Sequence, residues 1–129
     1  MNKNLEIIRK TYESTPEENR RNLFATLAKN FEWIETAGFP YAGTYLNTET
    51  LIERVFKRLA TEWDNFHPVV HEYIADGNHV AAFGTYSGIF KATGKAMTAS
   101  FVHHYELQNQ KIIRMTQYVD SYVVRQAMV

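Results

Sequence analysis

Residues 96–119, AMTASFVHHYELQNQKIIRMTQYV, contain two stretches in which side-chain character alternates along the chain. In residues 97–107 the odd positions carry the bulkier apolar side chains: Met97, Ala99, Phe101, His103, Tyr105 and Leu107. A period of two is typical of a strand with one buried face. The pair Asn109–Gln110 separates this strand from a second one over 111–119. The segment therefore predicts two neighbouring strands, with His103 on the buried face of the first.

Two further strands precede this segment. Residues 66–75 end at Asp76–Gly77, a dipeptide that strongly favours a hairpin turn. Residues 79–91 follow and end at Thr93–Gly94. Gly84 and Gly88 interrupt this second long strand, where glycine weakens a flat sheet but permits bulges and a strong bend. We therefore expect a curved four-stranded meander.

The first half of the chain has the pattern of three helices. Leu5, Ile8 and Tyr12 form an apolar stripe at helical spacing. Thr15, Pro16 and Glu18 have the chemistry of a helix start, with a cap, a first-turn proline and a capping box. The second helix is expected to carry Leu23, Phe24, Leu27 and Ala28. The third is expected to begin near Thr48, with an apolar face of Leu51, Ile52, Val55, Phe56, Leu59 and Trp63.

A short strand over 31–35 separates the second and third helices, with Phe31, Trp33 and Glu35 on one side. Helices followed by an antiparallel meander predict an α+β domain, with helices on one face of the sheet. The length, 129 residues, fits a single domain over 1–129. A bent sheet covered by three helices leaves a concavity, which is a natural site for a small molecule.

Composition narrows the classes of partner. Fourteen basic residues balance fourteen acidic ones, so we expect neither nucleic acid nor an anionic membrane as a partner. The chain has no cysteine, which excludes disulfides and thiolate chemistry. Its N-terminus lacks the apolar core of a secretory signal, and no stretch is long enough to cross a membrane. A cytoplasmic location is the resulting expectation.

Three segments together resemble the SnoaL-like polyketide cyclases and ketosteroid isomerases of the nuclear transport factor 2-like superfamily. They are residues 31–35 (FEWIE), the aromatic and glycine-rich loop 38–45 (GFPYAGTY), and the closing run 111–120 (KIIRMTQYVD). The order of elements is similar over essentially the whole chain. The resemblance implies a cone formed by a curved sheet with three helices packed on its concave face. It does not fix a function, because this superfamily includes isomerases, cyclases, dehydratases, hydrolases and proteins without catalysis.

The resemblance gives Glu35 a candidate role, since ketosteroid isomerases carry their general base at the end of the same strand. A carboxylate beside the Trp33 indole in a partly dry site has a raised pKa, which suits proton abstraction next to a carbonyl. The alternative is a glutamate at a strand end that points into solvent. Tyr12 lies near the position of the oxyanion-binding tyrosine of these isomerases, with Thr11 as the competing register. A core tyrosine is the alternative there.

His103 falls where the isomerases place a protonated acid that donates a hydrogen bond to the developing oxyanion. Histidine is a departure from that pattern, although a neutral imidazole still donates one hydrogen bond. The alternative is a core histidine whose hydrogen bonds are satisfied. Gln117 is expected on the inner face of the last strand near His103. A carboxylate stands at about this place in epoxide-hydrolysing relatives, so Gln117 argues against that activity.

Asp120 is the remaining candidate acid or base, because SnoaL-like cyclases use an aspartate. Its alternative role is to cap the helix that begins at Ser121.

His67 and His71 are four residues apart, but on a strand that separation is about 13 Å, too far to share one ion. We therefore expect no metal and no cofactor.

Three hypotheses remain open at the level of sequence. The first is an enzyme acting on a hydrophobic carbonyl compound by acid–base chemistry, with Glu35 or Asp120 moving the proton and His103 and Tyr12 stabilising the enolate. The second is a binding module that holds an apolar molecule without catalysis. The third is a dimeric scaffold whose pocket is filled. The expected lining is Trp33, Phe56, Trp63, Phe101, Met115 and Gln117. A homodimer is expected through an outer sheet face carrying Tyr73, Phe83 or Ile89.

Overall fold

The computed structural model describes residues 2–129. Six strands form one mixed sheet: β1 (Leu27–Glu35), β2 (Gly43–Tyr45), β3 (Trp63–Asp76), β4 (His79–Phe90), β5 (Ala96–Gln108) and β6 (Lys111–Val119). Their spatial order is β2-β1-β6-β5-β4-β3. Strand β1 runs parallel to β6, and every other neighbouring pair is antiparallel. The predicted α+β class and the four-stranded meander are confirmed.

Tight turns fix the register of the meander. Gly77, with φ of +57°, opens the two-residue turn between the paired ends Asp76 and His79. Asn109 and Gln110, with φ of 52° and 65°, form the turn between β5 and β6. Positive φ at both central residues is the geometry that matches the twist of a hairpin. Register matters here because a slip of one residue moves every inward side chain to the outer face.

Two bulges in β3 bend the sheet, and each lies opposite a glycine of β4. Asn65 and Phe66 together oppose Gly88, where an added Cβ would lie 3.2 Å from the Phe66 Cα. His71 is the extra residue near Gly84, whose added Cβ would lie 2.1 Å from the Val69 carbonyl oxygen. The glycines are therefore required by close backbone approach. The expectation that they permit bulges is confirmed.

The helices are α1 (Lys3–Arg9), α2 (Pro16–Thr26), α3 (Thr48–Leu51), a π-helical turn (Ile52–Phe56), α4 (Lys57–Glu62) and α5 (Ser121–Ala127). Helix α2 has the predicted cap and proline: the Thr15 hydroxyl accepts a hydrogen bond from the Glu18 amide at 3.2 Å, and Pro16 occupies its first turn. The predicted capping box is not completed, because the Glu18 carboxylate accepts from Arg21 at 2.8 Å. Within the described residues, none of these helices is long and apolar enough to cross a membrane.

Helix α1 stops at Arg9, before Tyr12, and the ends of two further helices also differ from the prediction. Helix α2 stops at Thr26, and Leu27 and Ala28 already belong to β1, because pairing with β6 begins at Leu27. The predicted third helix, which the structure divides into α3, the π-helical turn and α4, ends at Glu62. Trp63 is the first residue of β3 and pairs with Phe90. In both places the apolar residues fit the helical stripe and the strand face equally well, and sheet pairing decides between them.

The core lies between the helices and the concave face of the sheet. It contains Ile8, Trp33, Leu51, Val80, Leu107, Ile112 and Met115, among other buried side chains. The convex outer face carries Phe83 and Ile89, as expected. The assignment of Tyr73 to that face was wrong, because Tyr73 pairs with the inward-facing Ala82 and its ring lies 6.3 Å from that of Tyr12. The bulge at His71 shifts the alternation of β3 ahead of Tyr73.

Candidate functional site

A cavity of about 550 Å³ opens between the helices and the concave face. Its apolar wall comes from α2, the π-helical turn and α4, through Leu23, Val55, Phe56 and Leu59, together with Trp33 and Phe66. Its polar wall comes from the sheet and the segment after α1, through Thr11, Tyr12, Glu35, Tyr86, His103, Tyr105 and Gln117. An apolar cavity with a few convergent polar groups is the usual form of a small-molecule site.

Glu35 is the carboxylate of this cavity. It lies at the end of β1, only 4% exposed, and the predicted inward orientation is confirmed. The Trp33 indole donates to Oε2 at 2.7 Å and the Gln117 amide donates to Oε1 at 2.8 Å. Burial raises the pKa of Glu35 to about 7, and the two donated hydrogen bonds only partly offset it. A carboxylate with this pKa is a proton acceptor near neutral pH.

A continuous row of hydrogen bonds runs from Glu35 across the polar wall. Gln117 contacts the Tyr86 hydroxyl, which lies 2.5 Å from His103 Nε2. His103 Nδ1 lies 2.5 Å from the Tyr12 hydroxyl, which in turn lies 2.5 Å from the Tyr105 hydroxyl. We call Glu35, Gln117, Tyr86, His103, Tyr12 and Tyr105 the polar row. Four elements contribute to it: β1, β4, β5 and β6, with Tyr12 from the segment after α1.

Ionised Glu35 sets the direction of every hydrogen bond in the polar row. A carboxylate only accepts, so the Gln117 amide group faces it and the Gln117 carbonyl faces Tyr86. The single hydroxyl proton of Tyr86 then goes to Gln117, and Tyr86 accepts from His103 Nε2. His103 therefore carries its proton on Nε2, and Nδ1 accepts from Tyr12, which accepts from Tyr105.

His103 is neutral in this arrangement. Burial lowers the pKa of His103 to about 3, since the imidazolium is costly to desolvate. Its ring stacks on Phe101 with centroids 4.2 Å apart. Burial likewise raises the pKa of Tyr12, Tyr86 and Tyr105 above the ordinary value, so all three hydroxyls keep their protons. The polar row offers neutral donors beside one titratable carboxylate.

The sequence left open whether Tyr12 or Thr11 faces the cavity, and in the structure both residues line it. Tyr12 lies beyond the end of α1 and belongs to the polar row, as a partly exposed side chain. The Thr11 side chain is buried, and its hydroxyl donates to the Ile8 carbonyl oxygen at 2.7 Å. Tyr12 is therefore the better candidate for an oxyanion donor.

Four predicted site residues lie outside the cavity lining. Trp63, Phe101 and Met115 are buried in the core, where neighbouring rings and strands cover them. Trp63 turns its indole to the Tyr41 hydroxyl at 3.0 Å. Asp120 is exposed and accepts from the Val123 amide at 3.2 Å, which is the capping role. Trp33, Phe56 and Gln117 line the cavity as predicted.

Sequence reasoning missed two members of the polar row, Tyr86 and Tyr105. Both have a signal in the sequence. Tyr105 shares the buried odd face of β5 with His103, and Tyr86 is the one polar side chain on the buried face of β4. Asn65, which lies in the first bulge of β3, and His67 also line the cavity, and neither was predicted there.

A model of the SnoaL-like domain matches residues 8–115, and the chain belongs to this family. An NTF2-like protein from Burkholderia thailandensis is 32% identical, with 100% and 99% of the two chains covered and a TM-score of 0.93. An NTF2-like protein of unknown function from Burkholderia pseudomallei is 20% identical, with 100% and 99% covered and a TM-score of 0.88. TerC, co-crystallised with polyporic acid, is 22% identical, with 98% of each chain covered and a TM-score of 0.84.

The second and third of these similarities show the shared fold alone. No curated protein matches the chain. The fold class that the resemblance implied is confirmed by neighbours with ketosteroid isomerase-like and cystatin-like folds.

Proposed function

We propose that the protein is a cofactor-independent enzyme that moves a proton on a hydrophobic carbonyl compound, as isomerases and cyclases of this kind of fold do. The observation that carries the proposal is Glu35, a buried carboxylate with a pKa raised to about 7 in an apolar cavity. Membership of the SnoaL-like family supports a small-molecule ligand. So does the co-crystallisation of TerC with polyporic acid.

In the proposed reaction, ionised Glu35 removes a proton from the carbon next to the substrate carbonyl. The electron pair of that C–H bond moves onto the carbonyl oxygen and forms an enolate. Tyr12 turns its hydroxyl proton from His103 Nδ1 to this oxygen, while Tyr105 continues to donate to Tyr12. Glu35 then returns the proton to a carbon of the enolate. Stabilisation of the developing charge by placed donors is the main contribution of such a site.

Binding without catalysis is the second candidate, and one observation favours it. Every side chain of the polar row already has a hydrogen-bond partner within the protein. An apolar ligand would fill the cavity without breaking any of these bonds. The third hypothesis, a filled pocket, does not agree with a cavity of about 550 Å³.

Hydrogen exchange on a model ketone separates the two candidates. We expect the wild type to accelerate deuterium incorporation from D₂O next to the carbonyl of 2-tetralone, and Glu35→Gln to lower that rate by about 100-fold or more. Glu32→Gln is the matched control, because Glu32 lies on the same strand but pairs with Arg114. Binding of the ketone with no acceleration would support the second candidate. Equal rates for Glu35→Gln and wild type would exclude Glu35 as the base.

A further inference from the structure

Three potential metal ligands meet on the convex face of the sheet, away from the cavity. Residues His79, His104 and Glu106 place one ligand atom each within 4.8 Å of one another, and we call them the outer histidine cluster. His79 is the direct cross-strand partner of Glu106, and His104 is the partner of Ala81 two residues further on. The cluster therefore rests on the ladder between β4 and β5.

The distances in the outer histidine cluster are close to those of a metal site. His79 Nδ1 lies 2.9 Å from His104 Nε2 and 4.0 Å from Glu106 Oε1. Two ligands of a tetrahedral ion at about 2.0–2.1 Å are about 3.3 Å apart. The imidazoles would separate slightly, and the carboxylate would move toward His104, since the three ligand atoms now lie within 4.8 Å of one another and would need to close to about 3.3 Å. His79 is exposed and His104 half-buried, so both side chains have room for that adjustment.

Arg114 prepares the carboxylate for this role. Its Nη1 donates to Glu106 Oε2 at 2.5 Å, which leaves Oε1 turned toward His79. The same guanidinium also binds Glu32 Oε1, at 3.0 Å, so its own position is fixed from two sides. A ligating carboxylate held by a second hydrogen bond is the usual arrangement around protein-bound metals. Arg114 therefore binds Glu106 Oε2 and leaves Oε1 available to a metal ion.

We propose that the outer histidine cluster binds one divalent transition-metal ion of the zinc type. Two imidazoles and one carboxylate form a three-residue ligand set that zinc proteins use. His79 and Glu106 supply a cross-strand pair, and His104 completes the set from the same face. The cluster makes no use of the cavity, so its occupancy is independent of the proposed acid–base chemistry.

Calorimetric titration of the tag-free protein with Zn²⁺ at pH 7.5 tests the proposal. We expect saturable binding of one ion per chain, with affinity lowered at least about tenfold in His79→Ala and in His104→Ala. His71→Ala is the matched control, since His71 lies on the same sheet but bonds to Thr85. The control should bind Zn²⁺ like the wild type. Absence of saturable binding, or equal affinity in His79→Ala, His104→Ala and wild type, would overturn the proposal.

Thermal unfolding gives a second measurement on the same variants. An ion that binds only the folded chain raises the unfolding midpoint. Zn²⁺ should raise the midpoint of the wild type and of His71→Ala, and should raise that of His104→Ala clearly less. A rise of equal size in His104→Ala would place the ion elsewhere and contradict the assignment.

Discussion

At the scale of single residues, the polar row behaves as one unit because each hydroxyl has only one proton to donate. Glu35 can only accept hydrogen bonds, and it determines the tautomer of His103 through three successive hydrogen bonds. A buried polar network of this kind is costly when any member loses its partner. Substitutions in the row should therefore change the protonation of distant members as well as local contacts.

The tautomer of His103 should change in Glu35→Gln. A glutamine at this position accepts from Trp33 and donates from its amide, so Gln117 must rotate and present its carbonyl oxygen. The Gln117 amide then donates to Tyr86, Tyr86 donates to His103 Nε2, and the imidazole proton moves to Nδ1. Nitrogen-15 spectra of the imidazole at pH 8 should show Nε2–H in the wild type and Nδ1–H in the variant. The same tautomer in both would contradict the assigned directions.

At this scale the sequence was informative where alternation is regular. The period of two along β5 and β6 placed His103 and Gln117 on the inner face, and the short strand β1 did the same for Glu35. It could not show that Tyr86 stands between His103 and Gln117, because that contact depends on which strands are neighbours and on their register. Trp63, Phe101 and Met115 face inward as predicted. Alternation along a strand shows which face a side chain is on, but not whether it lines a cavity or is covered by other core residues.

At the scale of secondary-structure elements, the bent sheet depends on two glycines in β4. The Gly84→Ala substitution should cost about 3 kcal/mol or more, because its Cβ would meet the Val69 carbonyl oxygen at 2.1 Å and the Phe101 ring at 2.9 Å. Gly77→Ala is the matched control, since its Cβ would have no neighbour within 4 Å and only the positive φ is strained. That variant should lose about 1 kcal/mol. Denaturant unfolding measures both, and equal losses would contradict the role of Gly84.

The start of α2 gives a second prediction at this scale. Thr15→Ala removes the acceptor of the Glu18 amide and should lower the free energy of unfolding by about 1 kcal/mol. The cavity should keep its ligand affinity, since Thr15 is exposed and does not line it. Ser14→Ala is the control for stability alone, because the hydrogen bonds of Ser14 come from its backbone while the residue lines the cavity. An unchanged unfolding midpoint in Thr15→Ala would show that the cap carries no stability.

The elements themselves were predictable because their signals are local. The cap at Thr15, the turn at Gly77 and the bulge-permitting glycines each act within a few residues. The ends of α2 and α4 were not predictable in the same way. Leu27 belongs to a strand because it pairs with β6, and Trp63 belongs to a strand because it pairs with β4. The π-helical turn over Ile52–Phe56 left no signal that the apolar stripe could reveal.

At the scale of the whole molecule, the convex face of the sheet bears on assembly. Phe83, Val102 and Tyr118 form a cross-strand row on that face, and Ile89 and Tyr118 are 42% and 54% exposed. An apolar row of this kind favours a partner surface. We expect a homodimer through this face, which sedimentation should detect.

Tyr118→Lys should shift the protein toward monomer, because a lysine charge in a buried interface is costly. Tyr122→Lys is the matched control, since Tyr122 lies on α5 and is 72% exposed. It should sediment like the wild type. A wild-type protein that remains monomeric at high concentration would contradict the dimer.

Glu35 is proposed as a base with a pKa near neutrality in an apolar cavity, and the pH dependence of ketone hydrogen exchange measures this property. The base acts only when ionised, so the rate should fall about tenfold per pH unit below the pKa of about 7 and level off above it. Loss of the indole donor in Trp33→Phe should move the midpoint upward, because that hydrogen bond favours the carboxylate. A midpoint near the ordinary glutamate pKa, or an enzyme-catalysed rate that does not change between pH 5 and pH 9, would exclude Glu35 as a base with a raised pKa.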